Sequence, residues 1–361
     1  MNNHLAIILV SALLAFLIPA FFFIRAARQS VFNRGNRIWT SAFAPAAVTL
    51  LPLMTVAYLL FYNPGDFIYS LNLWQVVLPL VFAFAVFAAD FLPKYRKIAT
   101  AGIVIIGALV CAFALPKAAA ADIFPLLPWL NRLALAAIWV LFCYAYRYAD
   151  SGDAMLALQS FTISGGIGIL AALGALPFII GLFGWMYAAV FGILLSFTWF
   201  PARISVSAGS ARAFGFALFG LISMAAGENC LPCIAIFAMF SAVDIAWALL
   251  YRLTFREEYR NILSNTAFQQ SLQEGMTPRQ AANFAVRIQL VLLILGCMQI
   301  YAPNQLSLII LAALLAVWFS YKFRSLATGN QSIRDINREV LEDLQDRVNE
   351  FKQYINKDDE L

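Results

Sequence analysis

The stretch PFIIGLFGWMYAAVFGILLSFTW, Pro177 to Trp199, carries no charged side chain, and its apolar residues continue without the alternation of a half-buried strand. As a helix it would be long enough to cross a bilayer's hydrocarbon core of about 30 Å. Outward from this run the pattern repeats. Comparable segments fall near 5 to 24, 41 to 62, 73 to 89, 98 to 116, 128 to 146, 155 to 173, 208 to 226, 231 to 251, 288 to 302 and 305 to 322. With 177 to 199 they make eleven. Composition agrees: 63% of the 361 residues are hydrophobic and 12% charged, against about a quarter charged in soluble domains. The expected fold is all-α, a polytopic membrane helix bundle of about eleven transmembrane helices. The first span has no charged leader and runs into Phe23, Ile24 and Arg25 rather than a small-residue cleavage site, so it is expected to be a retained helix.

Basic residues set the expected orientation, because short cytoplasmic loops collect Lys and Arg. Alternating eleven spans with the N-terminus outside and the C-terminus cytoplasmic places Arg25, Arg28, Arg34 and Arg37 on one side with Lys94, Arg96 and Lys97. Arg147, Arg203, Arg212, the group from Arg252 to Arg287 and the tail from Lys322 join them. Only Lys117 and Arg132 stay near the outer face. The net charge of +5 is thus a topology signal and requires no nucleic acid.

Polar and acidic features gather on the expected cytoplasmic side: Asp90, the pair Asp150 and Asp153, the turn from Arg203 to Ser210, and the loop from Arg252 to Arg287. Asp150 and Asp153 precede an apolar run, which is also the pattern of a helix N-cap with its N3 partner. Asp90 beside Lys94 and Lys97 also reads as a solvated headgroup-level acid. Asp244 lies inside the ninth span, where an ionisable group is costly unless paired or wetted.

Four of these segments carry a family resemblance. YAYRYADSGDAML, 144 to 156, resembles the N-A-x-N-x-x-D-G-x-D-G-L motif of the polyprenyl-phosphate N-acetylhexosamine-1-phosphate transferases, the glycosyltransferase family 4 type. FPARISVSAGS, 200 to 210, is similar to their P-A-x-x-F-M-G-D-x-G-S loop. QEGMTPRQA, 273 to 281, resembles the R-x-G-L-S-x-R-Q-A that follows the family's H-x-H-H, and AADFLPKYRK, 88 to 97, resembles its D-D loop. The four occur in family order and cover residues from about 80 to 320.

The resemblance implies transfer of a sugar-1-phosphate from a UDP-sugar to undecaprenyl phosphate in the bacterial inner membrane, for cell-envelope glycan synthesis. It implies Asp90, Asp150 and Asp153 as catalytic acids, Mg²⁺ on Asp150 and Asp153, and substrate contacts at Arg147, Ser207, Gly209, Ser210 and Asp244. Ser207 stands where the family carries its metal-binding Asp, and Thr266, Phe268 and Gln269 stand where its histidines belong. The only histidine is His4. Beside the enzyme stands a second reading, a catalytically inactive relative that binds a polyprenyl lipid or a partner protein. A secondary transporter is disfavoured, since no inverted repeat is evident.

Residues 1 to 325 are expected to form the transmembrane domain and 326 to 361 a cytoplasmic tail. In that tail Ile333, Ile336, Val340, Leu344, Val348, Phe351 and Ile355 recur at helical spacing after Ser332, a suitable N-cap. An amphipathic helix on the bilayer or in a homodimer fits them. Cys111, Cys143 and Cys297 read as small buried hydrophobes. Cys230 and Cys233 form a C-x-x-C at the outer face, expected to be a local disulfide or without a role.

Overall fold

The computed structural model describes residues 73–89, 96–115, 128–148, 154–199, 206, 208–255, 266–273, 276–302 and 306–323. The spans at 5 to 24 and 41 to 62, the tail from 326, and Asp90, Asp150, Asp153 and Ser207 lie outside them. Among the described residues every element is helical. In chain order they are α1 Leu73–Ala89, α2 Arg96–Ala114, α3 Pro128–Tyr148, α4 Met155–Ala172, α5 Phe178–Thr198, α6 Ala208–Ala225, α7 Leu231–Phe255, α8 Ala267–Gln273, α9 Pro278–Met298 and α10 Leu306–Phe323. Eight of these helices are long and apolar enough to cross a membrane, and α1 adds a shorter apolar one. The chain is a multi-pass membrane protein by this criterion.

The opening stretch is α5, and it forms a hairpin with α4. Gly174, with φ at 79°, takes the left-handed conformation that lets the chain reverse. The two helices then approach at backbone distance along small residues. A Cβ at Gly184 would stand 2.8 Å from the nitrogen of Gly168 and 3.0 Å from the carbonyl oxygen of Ser164. Gly181 is opposite Ala171, and Gly192 is opposite Phe161. Rising numbers in α4 meet falling numbers in α5, so the pair is antiparallel. Lipid offers apolar groups no drive to leave it, and close van der Waals packing of small residues is what joins such helices. The buried hydroxyls inside α4 are satisfied within the helix: Ser160 Oγ donates to the Leu156 oxygen at 2.7 Å and Thr162 to Leu158 at 2.9 Å.

A second group packs around α6. Trp139 of α3 is fully buried, with its ring 4.9 Å from Phe219 and 5.2 Å from Phe216. Gly220 lies against Pro79 of α1, and Gly215 against Tyr146 and Cys143 of α3. Both pairings are antiparallel. α2 runs parallel to α6, since Gly107 lies against Phe216 while Thr100 meets Arg212. Cys111 and Cys143 are buried in this core, as expected of small hydrophobes, whereas Cys297 is only half-buried.

In the third group the ring of Phe237, on α7, occupies the space over Gly166 of α4 and Gly296 of α9. One turn on along α7, and two turns back along α4 and α9, Gln159 of α4 accepts hydrogen bonds from Ser241 Oγ at 2.6 Å and from the Gln289 side-chain amide. α7 and α9 are therefore antiparallel, with α4 running alongside α9. Phe284 of α9 stacks on Phe323 of α10 at 4.9 Å, which brings the end of α10 beside the start of α9.

One span differs from its expected bounds. The apolar run at 288 to 302 is the later part of α9, which starts at Pro278 with a complete capping box. Thr277 Oγ1 accepts the Gln280 N–H at 3.3 Å, and Gln280 Oε1 accepts the Thr277 N–H at 3.1 Å. The stretch long and apolar enough to cross a membrane runs over Arg279–Tyr301, so Arg279 and Arg287 belong to the helix and not to a loop before it.

Candidate functional site

These pairings put the C-terminal ends of α1, α3, α5 and α7 at one end of the bundle, with the N-terminal ends of α2, α4, α6 and α9. Arg96, Lys97, Arg147, Arg212, Arg252, Arg279, Arg287 and Lys322 belong to that end. Among the described residues Arg132 is the basic residue of the opposite end. There its guanidinium donates to the carbonyl oxygens of Ala112, Phe113 and Leu115, closing the C-terminus of α2.

All four family-like segments connect helix ends at the basic end. The segment 88–97 leaves α1 and enters α2, 144–156 joins α3 to α4, 200–210 joins α5 to α6, and 273–281 leads into α9. Their acids Asp90, Asp150 and Asp153, and Ser207, fall outside the described residues. The helix starts around them are informative nonetheless. The N-cap of α4 is Ala154, with no side-chain cap, so the reading of Asp150 as N-cap with Asp153 as its N3 partner does not hold. Both acids precede the helix.

Gly209 and Ser210 are not in a loop. They form the first turn of α6 and are buried. Arg147 is exposed in the last turn of α3, where a cation is favoured by the helix dipole. Near them is a residue that the sequence marked only as a topological charge. Arg212, half-buried on α6, holds its guanidinium 5.3 Å from the Tyr144 ring centre and its Nη1 3.5 Å from Thr100 Oγ1. An arginine in an otherwise apolar span, one turn after Gly209, was the available signal. The aromatic face and the hydroxyl fix a cation in place beside the loop ends.

Asp244 is 6% exposed, and its Oδ1 accepts the backbone N–H of Ala267 at 2.9 Å. The acid thereby holds the start of α8, a short helix packed against α9, whose Ala267 and Phe268 belong to one apolar cluster with Met155 and Leu158 of α4 and Ala281 and Ala285 of α9. Thr266 and Phe268, at positions of the family histidines, are 1% and 4% exposed. Both are packed in the interior, while Gln269, at the third such position, is half-buried.

The resemblance implies Mg²⁺ on Asp150 and Asp153, which lie outside the described residues; among the described residues no three acidic, histidine or cysteine side chains gather to hold an ion. Asp244, the acid of this region that is described, has one oxygen committed to Ala267. Compared with known protein families and with functionally characterised proteins, the chain matches none.

Proposed function

We propose that the chain is a bacterial inner-membrane protein of about eleven spans, N-terminus outside and C-terminus cytoplasmic. In this reading it is built like the polyprenyl-phosphate sugar-1-phosphate transferases and binds a polyprenyl phosphate at its cytoplasmic end. The observation that supports this is the gathering of the helix ends flanking all four family-like segments at the basic end of the bundle. Positive charge marks that end as cytoplasmic. Arg212, braced by Tyr144 and Thr100, supplies a fixed cation for the lipid phosphate, while the apolar helix faces below suit its isoprenoid chain. Mg²⁺, held by Asp150 and Asp153, would neutralise charge on a sugar nucleotide if one is used.

Binding without turnover is the better supported form of this proposal. Ser207 stands in place of a metal carboxylate, two of the three histidine positions, Thr266 and Phe268, are buried, and Asp244 is engaged in holding α8. The test uses the full-length protein in detergent with undecaprenyl phosphate, undecaprenol, and UDP-GlcNAc with Mg²⁺. Retention of the phosphorylated lipid over the alcohol, without UMP release, is expected. Equal retention of both lipids removes the proposal, and UMP release abolished by Asp150→Asn makes the protein an enzyme with an altered ligand set.

A further inference from the structure

At the end of the bundle opposite the basic one, the chain passes from α6 to α7 through a π-helical turn, Ala226–Cys230. Asn229 there has φ 60° and ψ 15°, a left-handed conformation that breaks α6 and starts a new helix. Cys230 consequently stands just ahead of the first residue of α7, and Cys233 lies one turn on, on the same face. Pro232 between them suits a first helical turn, since its ring fixes φ and its missing N–H is not needed. Cys230 Sγ points to the Ala175 carbonyl oxygen of the α4–α5 turn at 3.6 Å, and both thiols are buried. The backbone of Cys233 also abuts Gly296, the neighbour of a third thiol, Cys297.

We propose that Cys230 and Cys233 are a dithiol–disulfide site, with Cys230 as the sulfur that exchanges with external disulfides and Cys233 as the one that closes the bond. The start of a helix carries partial positive charge, which favours a thiolate at Cys230 over one deeper in α7. The Cys233 side chain, hydrogen-bonded to Cys230, holds that thiol below its ordinary pKa, against burial and Glu228, which push it up. Cys230 is also next to the exposed residues Glu228, Asn229 and Leu231, from which side a partner would arrive.

The exchange balances with a low-molecular-weight or protein disulfide as oxidant. The Cys230 thiolate attacks one sulfur of it, the external S–S bond breaks, and the first thiol leaves. The Cys233 thiolate then attacks Cys230, releasing the second thiol. Two electrons reduce the external disulfide, and the protons of the two cysteines end on the leaving thiols. The first and last sulfurs of a four-residue turn close a very short loop, so the bond adds little chain entropy and its state can follow the redox surroundings.

The test equilibrates the full-length protein in detergent with reduced and oxidised glutathione, traps thiols with a maleimide in denaturant and reads intact mass. Under oxidising conditions we expect two fewer labels than on the five cysteines of the reduced protein. Cys297→Ser should leave that difference intact, and Cys230→Ser should remove it. Cys233→Ser should accumulate one glutathione adduct, mapped by peptide mass to Cys230. Full labelling after oxidation, a bond that involves Cys297, or an adduct on another cysteine in the Cys233→Ser variant would overturn the assignment.

Discussion

Asp244 of α7 accepts the backbone N–H of Ala267 at 2.9 Å, so a carboxylate inside the bundle fixes where α8 begins. A hydrogen bond to a charged acceptor contributes about 1.5–3 kcal/mol. Asp244→Ala leaves a buried amide without that acceptor, whereas Asp244→Asn keeps a side-chain oxygen. Thermal unfolding in detergent should show Asp244→Ala less stable by about 1–3 kcal/mol, with Asp244→Asn intermediate. Unchanged unfolding for Asp244→Ala would show that the bond holds nothing.

Two glycines, Gly184 in the α4–α5 hairpin and Gly102 in α2, make predictions of opposite sign. At Gly184 an added methyl meets backbone atoms of Gly168 and Ser164, which cannot swing away. Gly184→Ala should destabilise by about 1–3 kcal/mol, the usual cost of overpacking. At Gly102 a Cβ meets nothing within 4 Å, and the residue lies inside α2. Gly102→Ala should raise stability by about 0.5–1 kcal/mol through backbone entropy and helix propensity. Equal effects at the two positions would contradict the packing described.

Gln159 and Gln289 form a buried polar pair, each 2% exposed, and Gln159 Oε1 also takes the Ser241 hydroxyl. Gln289 Oε1 is itself buried without a hydrogen-bond partner among the described residues. Gln159→Leu alone strands two donors and should cost about 1–3 kcal/mol. The pair Gln159→Leu with Gln289→Leu should recover part of that loss, since only Ser241 is then left to rebond within its helix. A double-mutant cycle with no coupling between the two positions would count against the network.

Length and apolarity made α5, α4 and α6 legible, since their bounds lie within a few residues of the runs that announced them. The beginning of α9 was less visible because Arg279, Gln280, Asn283 and Arg287 look like loop in a hydropathy reading. The T-P-R-Q of 277 to 280 spells a capping box and was the local sign of it. Asp244 was conspicuous as an acid inside a span, but its partner is the amide at 267, and nothing local in sequence encodes that pairing. Phe237 is similar: its place depends on Gly166 and Gly296 from two other helices. The acids at 150 and 153 lent themselves to a capping interpretation that only the position of Ala154 removes.

Topology can be read with two exposed residues at opposite ends. Arg147 closes α3 at the basic end, and Glu228 lies in the turn before α7. In a cysteine-free background Arg147→Cys should react with an impermeant maleimide only after cells are opened, and Glu228→Cys in intact cells. The reverse pattern would invert the orientation and remove the cytoplasmic site with it.

Arg212 tests the lipid-phosphate proposal at a single side chain. Its guanidinium is held by the Tyr144 ring at 5.3 Å and by Thr100 at 3.5 Å, so it meets a phosphate without first being ordered. A charged hydrogen bond is worth about 1.5–3 kcal/mol, and Arg212→Gln should therefore weaken undecaprenyl phosphate binding about tenfold or more. Arg212→Lys keeps the charge but loses the planar fork and should fall between. Tyr144→Phe retains the aromatic face and should bind as the parent does, while Tyr144→Leu frees the guanidinium and should weaken binding. Undecaprenol carries no phosphate, so its weaker association should be the same for all four variants, which separates a lost phosphate contact from a disturbed bundle. If Arg212→Gln unfolds at the parent's temperature and binds the phosphorylated lipid as tightly, the phosphate is held elsewhere and Arg212 serves only to join α2, α3 and α6.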